Sequence, residues 1–288
     1  MPSSKSDCTS PDDKISSLEK KVVDLQKENE SLRTHLLEVN KERIEYLQNV
    51  AHQIVAPLNA MKWHIENITS ARVGVDRAKK VLRSIYSQAT LAVHLAKNFN
   101  LMSNLEADHT LTVSREPLEP VEVKRLLINL SDDFQPLGWD KSINIRVNDS
   151  SFCGIPDILV IKPLISQVFS NIIENAVKYS TKGSTINITG HHSSEQNTVS
   201  ITISNQGIPI NASEIKNIFN RGYRSEAAQK SYPAGTGFGL YIAKKIVEIH
   251  EGTINASSRE GGWTDFEVVL YVRKLEGKAK QWGKKQSY

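Results

Sequence analysis

Four short stretches of this chain combine residue types that suit a phosphate group, a divalent cation and a nucleophile. In Ser166-Gln-Val-Phe-Ser-Asn171-Ile-Ile-Glu174-Asn175-Ala-Val-Lys178-Tyr179-Ser180, Asn171, Asn175 and Lys178 stand at i, i+4 and i+7, one face of a helix. An amide oxygen such as that of Asn175 is a hard ligand of the kind Mg²⁺ takes, and Mg²⁺ keeps several of its waters. Lys178 offers a compact positive charge to phosphate. The plainer alternative is the polar face of an ordinary surface helix. In Gly235-Thr236-Gly237-Phe-Gly239-Leu240 the glycines let backbone approach an anion closely, and a helix opening at Gly239 would aim free N–H groups at it. Ile203-Ser-Asn205-Gln-Gly207-Ile-Pro-Ile210 carries an Asn-x-Gly that is by itself only a turn signal. The fourth stretch is Ala51-His52-Gln53-Ile54-Val55-Ala56-Pro57-Leu58. A neutral imidazole is a competent nucleophile when its second nitrogen is held by an acceptor, and the Gln53 amide oxygen is such an acceptor, though it takes no proton.

The elements that must position these residues can be read from apolar spacing. Ile15, Leu18, Val22, Leu25, Asn29, Leu32, Leu36 and Val39 recur at alternating steps of three and four. That is the seam of a coiled coil over residues 14–43, and an Asn in the seam favours a parallel, in-register pair. A single amphipathic helix on a core gives a similar pattern. The stripe then shifts to Ile44, Leu47, Ala51, Ile54, Leu58, Met61 and Ile65, which suits a wider bundle, with His52 at its edge and Pro57 inside it as a kink. Asn67–Gly74 reads as a connection. A second helix is expected from about Asp76 to Glu106, so residues 44–107 form a helical hairpin, two copies of which make a four-helix bundle. Pro117 and Pro120 mark a boundary. Beyond it, helices are expected near 121–134, 162–179 and 239–250, and strands near 143–147, 185–189, 198–204, 253–256 and 265–272. This mixture without regular βαβ alternation predicts an α+β fold, with an α/β sandwich over 118–275.

Bulk composition narrows the class. The 288 residues are 39% hydrophobic and 24% charged, the balance of a soluble globular protein. The net charge is +4, with basic residues gathered in a C-terminal tail, 276–288, read as solvated. Residues 1–13, rich in Ser, Asp and Pro, read as disordered. Two cysteines, Cys8 and Cys153, build neither a disulfide framework nor a metal cluster. No apolar run approaches the roughly 20 residues that span a bilayer, so a cytoplasmic location without a membrane span or nucleic-acid partner is expected.

Taken along the chain from Ala51–Leu58, the four stretches resemble the H box, N box and first and second glycine boxes of sensor histidine kinases, and Ile218-Phe219-Asn-Arg221-Gly-Tyr223-Arg224-Ser225 is similar to the F box that lies between the glycine boxes. The resemblance covers roughly residues 40–275. It implies a dimerisation and phospho-acceptor hairpin followed by an ATP-binding domain of the gyrase, chaperone and histidine kinase superfamily. It further implies ATP- and Mg²⁺-dependent phosphorylation of His52 in a homodimer, then transfer to an aspartate of a response regulator receiver domain, under control of an upstream sensor not in this chain. The catalytic residues would be His52 and Gln53. Asn175 would hold the metal. Nucleotide would be bound by Asn171, Asn175, Lys178, Tyr179, Asn205, Gly207, Arg224, Gly235, Thr236, Gly237, Gly239 and Leu240, beneath a lid running to Ala234. Four positions depart from the family. Gln53 replaces an acidic residue, Asn205 replaces the Asp that accepts from the adenine amino group, and Pro209 stands where Gly is common. Ala56 occupies the place of a Thr or Asn that positions water for dephosphorylating the partner. Two rivals remain. An ATP hydrolase of the same superfamily needs a Glu at the place of Asn171, and an amide cannot serve as that base. A signalling scaffold that binds nucleotide and transfers nothing is the other.

Overall fold

The computed structural model describes residues 11–70, 74–106, 117–233 and 235–273. The side chains of 11–14, 16–19, 42–43, 45–46 and 104–106 are not among them. Residues 1–10, Ala234 and the basic tail 276–288 of the sequence reading lie outside the described residues. The chain divides into two units, Met1–Asn49 and Val50–Tyr288.

Among its described residues the first unit is a single helix. It is the N-terminal part of α1, Pro11–Ser70, so helix begins three residues before the expected coiled coil. Every seam residue whose side chain is described is exposed in the lone chain, including Val22, Leu25, Leu32 and Leu36. An isolated helix gains little from such a stripe, because helical stability in proteins comes mainly from packing an apolar face.

The second unit starts with the rest of α1, which continues as helix through Pro57, and with α2, Val75–Glu106. The two meet where Ser84 Oγ and His64 Nε2 lie 2.8 Å apart. After them come β1, Glu119–Val121, α3, Val123–Gly138, β2, Asn144–Val147, β3, Ile158–Val160, and α4, Lys162–Tyr179. The chain continues with β4, Thr185–Ser193, β5, Thr198–Gln206, α5, Glu226–Ser231, α6, Gly239–Ile249, β6, Thr253–Arg259, and β7, Trp263–Tyr271. Five strands form one sheet in the order β2-β4-β5-β7-β6, antiparallel except for the β2-β4 pair, while β1 and β3 pair in a small ribbon.

One face of the large sheet is apolar. Ile186 and Ile188 of β4, Val199, Ile201 and Ile203 of β5, and Phe266, Val268 and Leu270 of β7 are buried at alternate positions, as the two-residue period of a strand requires. Helices α3, α4 and α6 cover this face. Helix α4 contributes Ile165, Val168, Phe169, Ile172 and Ile173, all fully buried. Two ties hold it in place. Lys141 Nζ donates to the carbonyls of Val177 and Lys178 at its C-terminal end, and burial lowers the pKa of that ammonium. At its N-terminal end the Ile161 N–H donates to His250 Nε2 at 3.0 Å, while His250 Nδ1 meets the Ile246 carbonyl at 2.8 Å. His250 is thus a buried connector between α4 and α6, and burial pushes its pKa down.

Candidate active site

The apolar stripes of β5 and β7 end on polar residues. Asn205 and Thr264 continue the core-facing alternation and are cross-strand partners, each only 3% exposed. Here the core opens into a pocket between the sheet, α4, the start of α6 and the chain that joins β5 to α6. Ile208, Ile210, Ile218 and Phe266 give it apolar walls beside this polar end.

Backbone geometry shapes the pocket at two glycines. Gly207 bridges to Ser180, accepts no side chain, and would drive a Cβ to 2.0 Å from the Tyr179 carbonyl oxygen. Its N–H donates to Gly262 O at 2.8 Å, and the Ile208 N–H donates to Tyr179 O at 3.1 Å. Gly237 sits at φ +73°, and a Cβ there would meet the Gly222 backbone at 2.7 Å. Both positions demand glycine for close backbone approach. Next to Gly237, α6 begins at Gly239, and Gly235, Thr236, Gly237, Gly239 and Leu240 all line the pocket.

Of the other residues singled out in the sequence, Asn175, Lys178, Tyr179, Asn205 and Arg224 also line it. Asn171 does not. It is 1% exposed and lies beneath the floor, where its Oδ1 accepts from Asn98 Nδ2 at 2.8 Å and its Nδ2 has no partner. Gly207 shapes the wall without lining it. The Arg224 guanidinium is occupied by backbone, donating to the carbonyls of Pro233, Ala228 and Tyr232. It therefore ties down the segment after the F-box-like stretch, whose helix α5 is capped by Ser225 Oγ accepting from the Ala228 N–H. His52 is exposed and Gln53 half-buried on α1, and neither borders the pocket.

The structure adds a buried polar cluster that sequence reasoning missed. Glu174, 5% exposed, sits one residue before Asn175 and lies 2.7 Å from His94 Nε2 and 2.5 Å from Lys178 Nζ. The Lys178 contact is a close ion pair outside hydrogen-bond alignment. His94 Nδ1 accepts from Gln167 Nε2 at 2.9 Å, and Gln167 Nε2 also donates to Asn98 Oδ1 at 2.9 Å. Donation from Nε2 to the carboxylate and acceptance at Nδ1 satisfy both ring nitrogens. Burial pushes the Glu174 carboxyl up, but the Lys178 ammonium and His94 outweigh it and hold its pKa down at about 2. Burial likewise disfavours the Lys178 charge, and Glu174 more than offsets this, raising its pKa. The Lys178 ammonium also sits 5.0 Å from the Tyr232 ring centre. Through His94 and Asn98, helix α2 thus grips the same face of α4 that carries Asn175 and Lys178. The i, i+3 and i+4 relations of Glu174 to its neighbours were visible in the sequence. The partner His94, 80 residues earlier, was not.

Comparison with known proteins agrees with this architecture. Residues 161–274 match the family described as histidine kinase-, DNA gyrase B-, and HSP90-like ATPase. Sensor histidine kinase WalK of Bacillus subtilis is 28% identical over 237 residues, covering 81% of this chain and 37% of WalK. Histidine protein kinase SaeS of Staphylococcus aureus is 27% identical over 237 residues, covering 80% of this chain and 64% of SaeS. The chain therefore spans less than two thirds of either relative. Among solved structures, the fold is similar to Acinetobacter baumannii histidine kinase AdeS, with TM-score 0.50, 18% identity, and coverage of 77% of this chain and 98% of that one. It is also similar to full-length ShkA in complex with AMPPNP, with TM-score 0.52, 20% identity, and coverage of 78% and 45%. Residues 161–274 thus match the ATPase family of histidine kinases, and the chain as a whole is similar to sensor histidine kinases over about four fifths of its length.

Proposed function

We propose that this chain is the catalytic core of a two-component histidine kinase, which transfers the γ-phosphoryl group of ATP to His52 within a homodimer and then to an aspartate of a response regulator receiver domain. The observation that carries this reading is the pocket itself. It joins Asn175, Lys178, Asn205 and the Gly235–Leu240 loop, at the start of a helix, around one cavity.

The residues present suit a nucleotide and Mg²⁺. Thr264 Oγ1 is buried at the polar end with no partner, ready for a base. The Gly237 backbone packs against Gly222 too closely for any side chain, which fixes the loop beside the pocket, and the N–H groups at the start of α6 suit phosphate. The Asn175 amide oxygen is the hard donor that would hold Mg²⁺, and the metal would neutralise charge on the phosphates. Lys178 supplies a permanent positive charge, held ready by Glu174. Phosphoryl transfer asks mostly for positioning and charge stabilisation. In the transfer, a His52 ring nitrogen forms the new P–N bond as the bond from the γ-phosphorus to the bridging oxygen breaks and ADP leaves. Gln53 would orient the ring through its amide oxygen, leaving the displaced proton to water.

The homodimer reading is supported by apolar side chains left exposed on α1 and α2 of the lone chain, among them Val55, Leu58, Ile65, Leu82 and Val93. Among the described residues, no helix is long and apolar enough to cross a membrane. The test is incubation with γ-labelled ATP and Mg²⁺. The wild type should gain acid-labile label and His52→Ala none, with nucleotide affinity retained. Equal labelling of the variant, or nucleotide binding without label in either protein, would refute the assignment.

A further inference from the structure

Among the described residues, the polar end of the pocket contains no free carboxylate. Asn205 and Thr264 face each other across β5 and β7, and both line the cavity. The one acidic side chain among its lining residues is Glu174, which is taken by His94 and Lys178. Thr264 Oγ1 is shielded from water and has no hydrogen-bond partner, an arrangement that native interiors rarely leave without a ligand.

This matters for which purine fits. The edge of adenine offers an amino donor beside a ring-nitrogen acceptor. The corresponding edge of guanine offers a carbonyl acceptor beside an N–H donor. A carboxylate only accepts, so it would take the adenine amino group and repel the guanine carbonyl. A carboxamide carries one acceptor and two donors on opposite sides. A half-turn of the Asn205 amide exchanges them, and the Thr264 hydroxyl rotates to donate or accept as needed. The apolar walls of Ile208, Ile210 and Phe266 offer no hydrogen-bonding side-chain group that would distinguish adenine from guanine.

We propose that this site accepts guanine as well as adenine nucleotides, and that Asn205 is the residue that sets this breadth. The proposal rests on the nucleotide-binding reading above. It is tested by competition binding of ATP, GTP and CTP to the full chain, in the wild type and in Asn205→Asp. The wild type should bind ATP and GTP within about tenfold of each other. In Asn205→Asp the preference for ATP over GTP should rise roughly 10- to 100-fold, as expected when a buried group meets a like partner. CTP should bind the wild type at least about tenfold more weakly than either purine. ATP binding with GTP more than about 100-fold weaker in the wild type would overturn this proposal and leave the kinase reading standing. So would CTP binding as well as GTP, since the triphosphate would then carry the affinity. Failure of all three to bind would overturn both. The wild-type comparison decides the matter even where the buried aspartate prevents folding.

Discussion

Replacing His94 by Leu removes one partner of a buried carboxylate while nearly preserving volume, and its cost can be worked from the geometry. His94 is 4% exposed and lies 2.7 Å from Glu174 Oε2. Hydrogen bonds to buried charged groups contribute on the order of 1.5–3 kcal/mol. Lys178 stays beside the carboxylate, so the whole charge is not orphaned, and we expect a loss of about 2 kcal/mol at neutral pH. The acid limb gives an independent measure. The Glu174 pKa falls from 4.5 to about 2 on folding. A depressed carboxylate stabilises the fold above its unfolded pKa, and that stability drains away as pH falls through its folded pKa. At about 1.36 kcal/mol per pH unit, the full contribution is about 3 kcal/mol, of which about 2 should be lost between about pH 5 and pH 3. In Glu174→Gln this part of the acid loss should vanish. Urea unfolding, followed by far-UV circular dichroism, is the assay. A His94→Leu cost below about 0.5 kcal/mol, together with equal acid slopes for wild type and Glu174→Gln, would refute the buried cluster.

Two further outcomes are expected. Gln53→Glu should raise the initial rate of acid-labile labelling of His52 by about tenfold or more, because a carboxylate can take the proton that an amide cannot, and such assistance is commonly worth roughly 10²–10⁴; a slower variant would show the site to be built around the amide. Gly207→Ala should lower stability by about 3 kcal/mol and weaken ATP binding, because its Cβ would meet the Tyr179 backbone oxygen; thermal melts and binding calorimetry that match the wild type would contradict the close approach.

Much of this protein was legible along the chain. Helix α4 was read with its observed limits, Lys162–Tyr179, since its apolar residues repeat at helical spacing and Pro163 suits a first turn. Strands β4, β5 and β7 announced themselves by alternation, although β4 and β5 run further than expected and β7 starts two residues earlier and ends one residue sooner. The pair β1 and β3 was missed, because three residues each, one of them Pro120, are too few to show a period. Helix α5, six residues capped by Ser225, was missed for the same reason of length.

The site divided along the same line. Asn175, Lys178 and the glycines could be found from local spacing, because helix faces and tight turns are fixed by residues a few positions apart. Arg224 was expected near phosphate, yet its fork is drawn to the carbonyls of Pro233, Ala228 and Tyr232, a choice made by how the loop folds back. The fate of Asn171 was decided by Asn98, 73 residues away. Thr264 meets Asn205 only through the register of β5 on β7, and a slip of one residue would turn it to the other face. Periodicity determines which face of an element is apolar, and the sequence contains that directly. Which polar groups are then buried together depends on long-range packing, where the cost of leaving a donor or acceptor unpaired selects the partners.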